Sequence, residues 1–549
     1  MLLAGALGYR NGYISGNGMR VLLLNPPFLP RYSRSHRMPA VAKSGNLFYP
    51  HWLALAAAVL KQRGHTIELF DCPAEGVELK LLLSLVVRFD PGLIVIDSST
   101  PSWYADCETA QALKEELRHC RVCMTGHHAT FFWRQTFERA SAIDYVALGE
   151  YEETVADLAD ALDQGGDLNS IPGLATRAHL GEGRPMLRPL NQDLDRLPMV
   201  SPIYKEYLEP DLYSFNLSAH PFVQLIAGRG CPSSCFFCAY PQISQGGTYR
   251  HRTAENIVKE MEWIQKEWPA IKQVNFEDDN FGADKAFARR LGEVARVHNV
   301  NLPLFANISS SLDQGSLESL KAAGLHNCSV GFDTMRYSLL EKMGKIQTDR
   351  SIHDFMAATR RLGILVHGCF LVGFPGESRG NMRETYKWAC RIRSDSAQFY
   401  PVMPYPGTGA WHFYTEKGYL ATASFRDWLT RAGAPRCVLN LPGLTPREID
   451  DFCDHSFVRF HLRPRYLIQK LWQAVQSPLE GLRSLRAARL FVPYLRSKRE
   501  QRPEHLPVQR LGRSETWRMM PVIPEGRMQL IKRHSGAHAP DADHPDQKR

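Results

Sequence analysis

The stretch GRGCPSSCFFCAYPQ occupies residues 228–242 and carries Cys231, Cys235 and Cys238 within eight residues. It follows directly on the apolar run FVQLIAG (222–228), which reads as a buried strand. A structural zinc site takes four ligands, and no Cys-x-x-Cys or Cys/His partner lies nearby in the chain. An electron-transfer iron–sulfur site also takes four thiolates. Three thiolates on a four-iron cluster leave one iron open, where a substrate or cosubstrate can bind. Cys120 and Cys123 do form a second Cys-x-x-Cys. They fall on a helix-to-strand junction far upstream and read as buried packing.

Working outward from the cysteines, QVNFEDD (273–279), LPLFANIS (302–309), NCSVGFD (327–333), VHGCFLVG (366–373) and SAQFYPV (396–402) read as further strands. Helices are predicted over 253–267, 283–298, 315–323, 350–362 and 379–393. Six strand–helix steps with polar or cysteine residues at the strand ends predict a barrel-like parallel sheet, its site at that rim. Upstream, RVLLLNPP (20–27), HTIELFD (65–71), GLIVIDSST (92–100), RVCMTG (121–126) and IDYVALGE (143–150) alternate with helical patterns. That alternation predicts a doubly wound, Rossmann-like α/β sheet. Its strands end in Asn25-Pro26-Pro27, Ser98-Ser99-Thr100, Gly126-His127-His128 and Gly149-Glu150. Ligands bind beyond the carboxyl ends of such strands, which makes Pro26, Pro27, Ser98, Thr100, Gly126 and Glu150 candidate contacts. Ordinary turn chemistry is the alternative for the same residues.

The resulting division is an extension over 1–18, a first α/β domain over 19–165 and a polar, Pro-containing linker over 166–215 with one short strand in GLATR (173–177). The barrel-like domain follows over 216–420, then a mainly helical region over 421–499 and a disordered basic tail over 500–549. A chain of 549 residues suits this many units. No apolar run reaches the roughly 20 residues that span a bilayer. The first residues make a poor signal peptide, and Met19 opens a cleaner reading. With twelve scattered cysteines, this predicts a reducing, cytoplasmic setting. The net charge of +9 is concentrated at the end, where residues 459–549 hold 19 Lys/Arg against 8 Asp/Glu. The rest of the chain is close to neutral. Such a tail is a solvated end or a contact for an anionic surface. Within it LRPRYLIQKLWQAV (462–475) has an apolar and a basic face, so it docks on the body or lies on a membrane.

The cysteine stretch resembles the radical S-adenosylmethionine (SAM) superfamily, whose signature is three cysteines at this spacing with an aromatic, here Phe237, before the last. The resemblance covers roughly 216–420. FEDDNF (276–281) stands where that superfamily places acidic or backbone groups against the SAM ammonium. GFDTMRYSLLEKMGK (331–345) resembles its ribose-contacting segment. GCFLVGFPGE (368–377) resembles its glycine-rich fifth strand, and PYPGTGAWHFYTEKGYL (404–420) the segment that closes its partial (β/α)6, TIM-like barrel. The resemblance implies a [4Fe-4S] cluster on Cys231, Cys235 and Cys238. It implies SAM on the open iron with contacts from Phe237, Glu277 or Asp278, Asp333 and Gly373. Strand alternation puts Glu277 and Asp279 on one face and Asp278 on the other; either face can meet SAM, and Asp278 is preferred. Two features depart from the pattern. Asp333-Thr334-Met335 replaces a common Glu-Ser-Gly, and the third strand carries Asn307, Ser309 and Ser310 without an Arg. In this superfamily one electron, from a donor such as flavodoxin or ferredoxin, cleaves SAM to a 5′-deoxyadenosyl radical that takes hydrogen from unreactive carbons.

An α/β sheet ahead of such a barrel resembles the cobalamin-binding class of the same superfamily. LLLNPP with YPHWLALAAAVLKQRGHTIELFD resembles the opening of that domain, and DYVALGEYEE its last strand and helix. Many cobalamin domains carry Asp-x-His-x-x-Gly, whose His ligates cobalt. Here DCPAEG (71–76) has Pro73 at the His position, and His127 and His128 are elsewhere, so no protein imidazole is predicted on cobalt. A degenerate nucleotide-binding or purely structural sheet is the alternative for 19–165. The layout, including HPFVQLIAGRGC and LRPRYLIQKLWQAVQSPLEGL, resembles the hopanoid-associated branch. The implied activity is methyl transfer to an unactivated carbon, or to a phosphinate phosphorus, of a specialised metabolite or lipid head group. The alternative is ring contraction or oxidative cyclisation. The partners implied are a small-molecule or lipid-like substrate and an electron donor, with peripheral membrane contact through the basic C-terminal region and no nucleic acid. RNA methylthiolation would call for three more clustered cysteines and an RNA-binding barrel, and neither is visible.

Overall fold

A computed structural model describes residues 18–476 except 35, 36, 43, 44 and 182, together with 481 and 485. The predicted extension therefore lies almost wholly outside the described residues, as do the basic tail and most of 477–499.

The first sheet is built from β1 (Arg20–Asn25), β2 (Thr66–Asp71), β3 (Leu93–Asp97), β4 (Arg121–Thr125), β5 (Tyr145–Ala147) and β6 (Leu174–Thr176). Their order is β2-β1-β3-β4-β5-β6. All neighbours are parallel except β5 and β6, which run antiparallel. Val21–Leu24 and Leu93–Ile96 are fully buried, as strands covered by helices on both faces must be. The alanine-rich helix His51–Gln62 packs its Ala54, Ala56, Ala57 and Leu53 into this core. Strand order reverses between β1 and β3, and the crevice beyond that switch point is where such sheets bind ligands. The predicted short strand in the linker is β6, and it extends the first sheet past residue 165 as its antiparallel edge.

The second sheet is a six-stranded, all-parallel partial barrel. It comprises β7 (Phe222–Leu225), β10 (Gln273–Phe276), β11 (Leu304–Asn307), β12 (Leu325–Asp333), β13 (Leu365–Val372) and β14 (Ser396–Pro401), in the order β14-β13-β12-β11-β10-β7. Side chains alternate across β13. Phe370 is buried against Trp388 of the helix Arg379–Ile392, with ring centroids 5.7 Å apart. His367, Cys369 and Leu371 face the other way and are half-buried, lining the hollow of the sheet.

Two features differ from the sequence expectation. A two-stranded hairpin, β8 (Gly228–Arg229) with β9 (Arg250–His251), brackets the cysteine loop. Strands of two residues leave no periodic pattern to read. Among the described residues after 421, helix begins at Pro446, in Pro446–His461 and Pro464–Gln476. Residues 421–444 form turns and isolated bridges around the 3₁₀ turn Phe425–Trp428, as suits a segment with Pro435, Pro442 and two glycines.

The two sheets are joined tightly. Tyr49 stacks on Tyr213 with centroids 3.9 Å apart, and its hydroxyl donates to the Phe222 carbonyl at 2.8 Å. That hydrogen bond ties the first domain to the first barrel strand.

Candidate functional site

The cysteine loop leaves β8 through Gly230 (φ +84°), where a Cβ would sit 2.3 Å from the Thr248 carbonyl oxygen. Only glycine turns the chain there. Cys231, Cys235 and Cys238 are unpaired and partly exposed. Gln242 pins the loop, its amide donating to the carbonyls of Cys235 at 2.9 Å and Cys238 at 2.8 Å while its oxygen accepts from Gly409 N at 2.9 Å. From the other side Phe236 N donates to the Met343 carbonyl at 3.0 Å. Gly344 (φ +81°) passes so close that a Cβ would lie 2.4 Å from the Ser234 carbonyl oxygen. The segments 331–345 and 404–420 thus buttress the loop. Among the described residues no three His, Cys, Asp or Glu side chains converge as a single metal ion needs. Three thiolates are one ligand short of a structural zinc site, and they match a four-iron cluster that keeps one iron open.

Around this loop the candidate SAM residues fall into distinct roles. Phe237 packs on Phe374, centroids 5.9 Å apart, next to Gly373 (φ +95°), whose carbonyl accepts from Tyr414 OH at 2.8 Å. Asp333 adopts φ +59° and pairs with Lys345 Nζ at 2.5 Å; that ammonium also donates to the Gly331 carbonyl at 2.6 Å. Asp278 is fully engaged within the chain. Its Oδ1 accepts from Ala227 N at 2.8 Å, and its Oδ2 from Gly228 N at 2.7 Å and Tyr249 OH at 2.8 Å. This geometry runs against the preference for Asp278 as the SAM contact, because the carboxylate braces the strand-to-loop turn. Glu277 and Asp279 lie on the opposite side, facing Arg37 of the first domain. Arg37 donates to the Glu277 carbonyl at 3.1 Å and to the Asp278 carbonyl, and pairs with Asp279 Oδ1 at 3.4 Å. Asp279 Oδ2 is buried and has no hydrogen-bond partner. Burial raises both carboxyls above their usual range, with Arg37 pulling the other way. A slot of two carbonyls and a carboxylate that already attracts a guanidinium fits an ammonium.

The second feature is a cleft between the domains with about 760 Å³ of empty space, counted out to open solvent. Ser98, Thr100, Gly126 and Glu150 line it, with His127, His128 and Trp52. The facing wall is Ala239, Tyr240, Ile243, Ser244 and Gln245, the exit of the cysteine loop. Pro26 and Pro27 follow β1 but are not among the lining residues. Gly126 (φ +102°) is forced, since a Cβ would sit 2.1 Å from the Ser98 carbonyl oxygen. The imidazoles are held by protein. His127 Nε2 is 2.9 Å from Ser244 Oγ and His128 Nδ1 is 3.2 Å from Thr100 Oγ1. Burial lowers them to about 4 and about 3. Position 73 is a proline in a one-turn helix, Cys72–Glu75. The crevice is thus walled by strand-end backbone and buried side chains, with His128 Nε2 buried and without a hydrogen-bond partner. Cys120 and Cys123 are buried in the first core, as predicted.

Glu150 is more than a lining residue. With Glu152 it receives Arg229 at 3.2 and 2.7 Å, and it pairs with Arg250 at 2.5 Å. Arg229 also lies over the Trp52 ring, 5.0 Å from its centroid. Arg250 donates to the Gln245 carbonyl at 2.8 Å, and Gln245 Oε1 accepts from Gly230 N at 3.1 Å. This buried network clamps both ends of the cysteine loop to the end of β5. Apart from Glu150, neither this network nor Arg37 stands out in the sequence, because nothing local marks a charge whose partner lies a hundred residues away.

Residues 225–389 match the Radical SAM superfamily, and residues 38–159 match the B12 binding domain. The chain belongs to the cobalamin-binding radical SAM superfamily. Its cofactors are accordingly a [4Fe-4S] cluster, SAM and cobalamin, and it is an enzyme. It is 28% identical to an uncharacterized methyltransferase, PH0819, of Pyrococcus horikoshii over 83% of this chain and 95% of that one. It is 25% identical to the anaerobic magnesium-protoporphyrin IX monomethyl ester cyclase of Rubrivivax gelatinosus over 71% and 68%. The radical SAM methyltransferase TsrM of Kitasatospora setae, solved with cobalamin and a [4Fe-4S] cluster, superposes with a TM-score of 0.61 at 20% identity, covering 82% of this chain and 90% of that one. The two share the fold.

Proposed function

We propose that this chain is a cobalamin-dependent radical SAM methyltransferase acting on an unactivated carbon, or a phosphinate phosphorus, of a specialised metabolite or lipid head group. The observation that supports it most is the shared wall: residues 239–245 leave the cysteine loop and line the cleft at the ends of β3, β4 and β5. Two reactive centres would thereby lie either side of one short segment. When bound, the cofactors supply one-electron cleavage of SAM and a transferable methyl group.

The chain's own residues hold and shield. Cys231, Cys235 and Cys238 would carry the cluster. Glu277 and Asp279 would receive the SAM ammonium in the slot now filled by Arg37, and Asp333 with Lys345 would stand by the ribose. Phe237 and Gly373 would shape the adenine side. Gly126, Ser98, Thr100 and Glu150 would border the corrin, with no imidazole offered to cobalt. Peripheral membrane contact through the basic C-terminal region would bring the enzyme to a lipid-like substrate, and an external donor such as flavodoxin or ferredoxin would deliver the electron. No disulfide forms among the described cysteines, which supports a reducing, cytoplasmic setting. No helix among the described residues is long and apolar enough to cross a membrane.

Oxidative cyclisation is the second reading, favoured by the similarity to the cyclase. Anaerobic turnover with methyl-deuterated SAM separates them. Methyl transfer yields S-adenosylhomocysteine together with 5′-deoxyadenosine and a labelled product. Formation of 5′-deoxyadenosine without S-adenosylhomocysteine would favour cyclisation.

A further inference from the structure

The helix Pro464–Gln476 sits on the body the wrong way round for a soluble protein. Its inward face is largely polar, with Tyr466 packed against Phe460 at a centroid distance of 5.8 Å. Gln469 and Gln473 both donate to Asp395 Oδ1, at 2.9 and 2.6 Å, and Lys470 donates to Gln473 at 2.8 Å. Asp395 in turn accepts from Val366 N at 2.9 Å through its other oxygen, so the helix is tied to the start of β13. Its outward face is apolar. Leu467, Ile468, Leu471, Trp472 and Val475 are spaced as one helical stripe, and Ile468, Leu471, Trp472 and Val475 are 61–84% exposed. An ordinary surface helix buries that stripe and shows its glutamines to water. A contiguous exposed apolar patch of this kind marks a contact surface.

We infer that this face is a docking surface for the anionic surface of a lipid bilayer. Charge decides between occupants. Residues 459–549 hold 19 Lys/Arg against 8 Asp/Glu, whereas the remainder of the chain is near neutral. Apposing two copies through this helix would bring two such segments together, and like charge opposes it. An anionic membrane meets both properties at once, taking the apolar stripe with its tryptophan into the interface and the arginines onto headgroups. Arg465 is exposed beside the stripe, and Arg463 is anchored over Phe460, 3.9 Å from the ring centroid. The inference deepens the peripheral membrane contact proposed above by naming its face, and its test does not depend on the reaction the enzyme catalyses.

The test is co-sedimentation of the full-length protein with vesicles of phosphatidylcholine alone or with 30% phosphatidylglycerol. We expect binding to the anionic vesicles, weakened by salt, and at least a tenfold loss of binding in the double variant Ile468→Glu/Trp472→Glu. Both residues are exposed, so the thermal melt and SAM affinity of that variant should match the parent. Undiminished vesicle binding by the variant would overturn the proposal and leave tail charge alone as the cause. Absence of binding would also overturn it. A dimer in sedimentation velocity that the same variant dissociates would then give the face to a second copy, and a monomer would give it to residues 477–549.

Discussion

Replacing Asp278 with Asn tests whether the acidic strand end holds SAM or holds the fold. The carboxylate accepts from three donors, Ala227 N, Gly228 N and Tyr249 OH. An amide has one acceptor oxygen, so at least one backbone N–H is left facing an NH₂ group. Hydrogen bonds to a charged acceptor are worth about 1.5–3 kcal/mol, and an abandoned buried donor costs about 1–3 kcal/mol. Together these set a loss of about 2.5–6 kcal/mol in folding stability at pH 8, where the carboxyl is ionised. Ala227 and Gly228 lead into the cysteine loop, so the loss should show as a lower urea midpoint and poorer cluster retention. SAM affinity of the molecules that keep a cluster should be unchanged. pH gives a second readout. Burial pushes the Asp278 carboxyl up to about 7, its donors pulling the other way, so between about pH 4 and 7 the folded form holds a proton that the unfolded form has lost. Its contribution is full below that window and fades as pH rises through it, so the gap between parent and variant should be wider at pH 5 than at pH 8. Asp279→Asn should behave oppositely, weakening SAM binding about 10- to 150-fold at unchanged stability. A D278N protein with the parental urea midpoint and SAM binding weakened more than tenfold would refute the reasoning.

Alanine at Cys231, Cys235 or Cys238 should remove the four-iron absorbance of anaerobically reconstituted protein, whereas alanine at Cys120 or Cys123 should leave it. Paramagnetic resonance of the Co(II) form should show no nitrogen splitting from an axial base, and His127→Asn should not change the spectrum. Arg229→Met would strand Glu152 in a buried site while Glu150 keeps Arg250, and should cost about 3–5 kcal/mol by urea melt, with cobalamin affinity falling alongside it. Buried His51 and His128 are lowered to about 3, so the unfolded form takes up protons first below about pH 6.5. Each should therefore cost about 2 kcal/mol of stability by pH 5, and His128→Phe should flatten that acid slope.

Much of this was legible in the sequence where periodicity and local chemistry coincide. Strand runs, helix lengths and the three-cysteine spacing each depend on neighbours within a dozen residues, and the two sheets and the loop followed from them. Alternation correctly put Glu277 and Asp279 on one face and Asp278 on the other, but it cannot say which face meets a turn and which an open slot. That was decided by Tyr249 on one side and by Arg37, 240 residues earlier, on the other. The helix at 464–476 makes the same point. Its two faces are evident in the sequence, yet which of them meets the body depends on Asp395 at the foot of β13 offering one oxygen to two glutamines.

The charged network at the end of β5 explains why the two halves need not be separate modules. A buried cluster of Arg229, Arg250, Glu150 and Glu152 is a poor way to gain stability, since desolvation offsets most of its Coulomb energy. It is a good way to fix an orientation, because an arginine fork between carboxylates tolerates little displacement. Here the fork sits two residues before Cys231, and Arg250 holds the Gln245 carbonyl seven residues after Cys238. Entry and exit of the cysteine loop are therefore referenced to the same strand end that borders the cleft. A shift of the first domain would move Glu150 and with it both ends of the loop. The separation of the two candidate sites would thus be set by one buried charge cluster, as a reaction that passes a group between two centres requires.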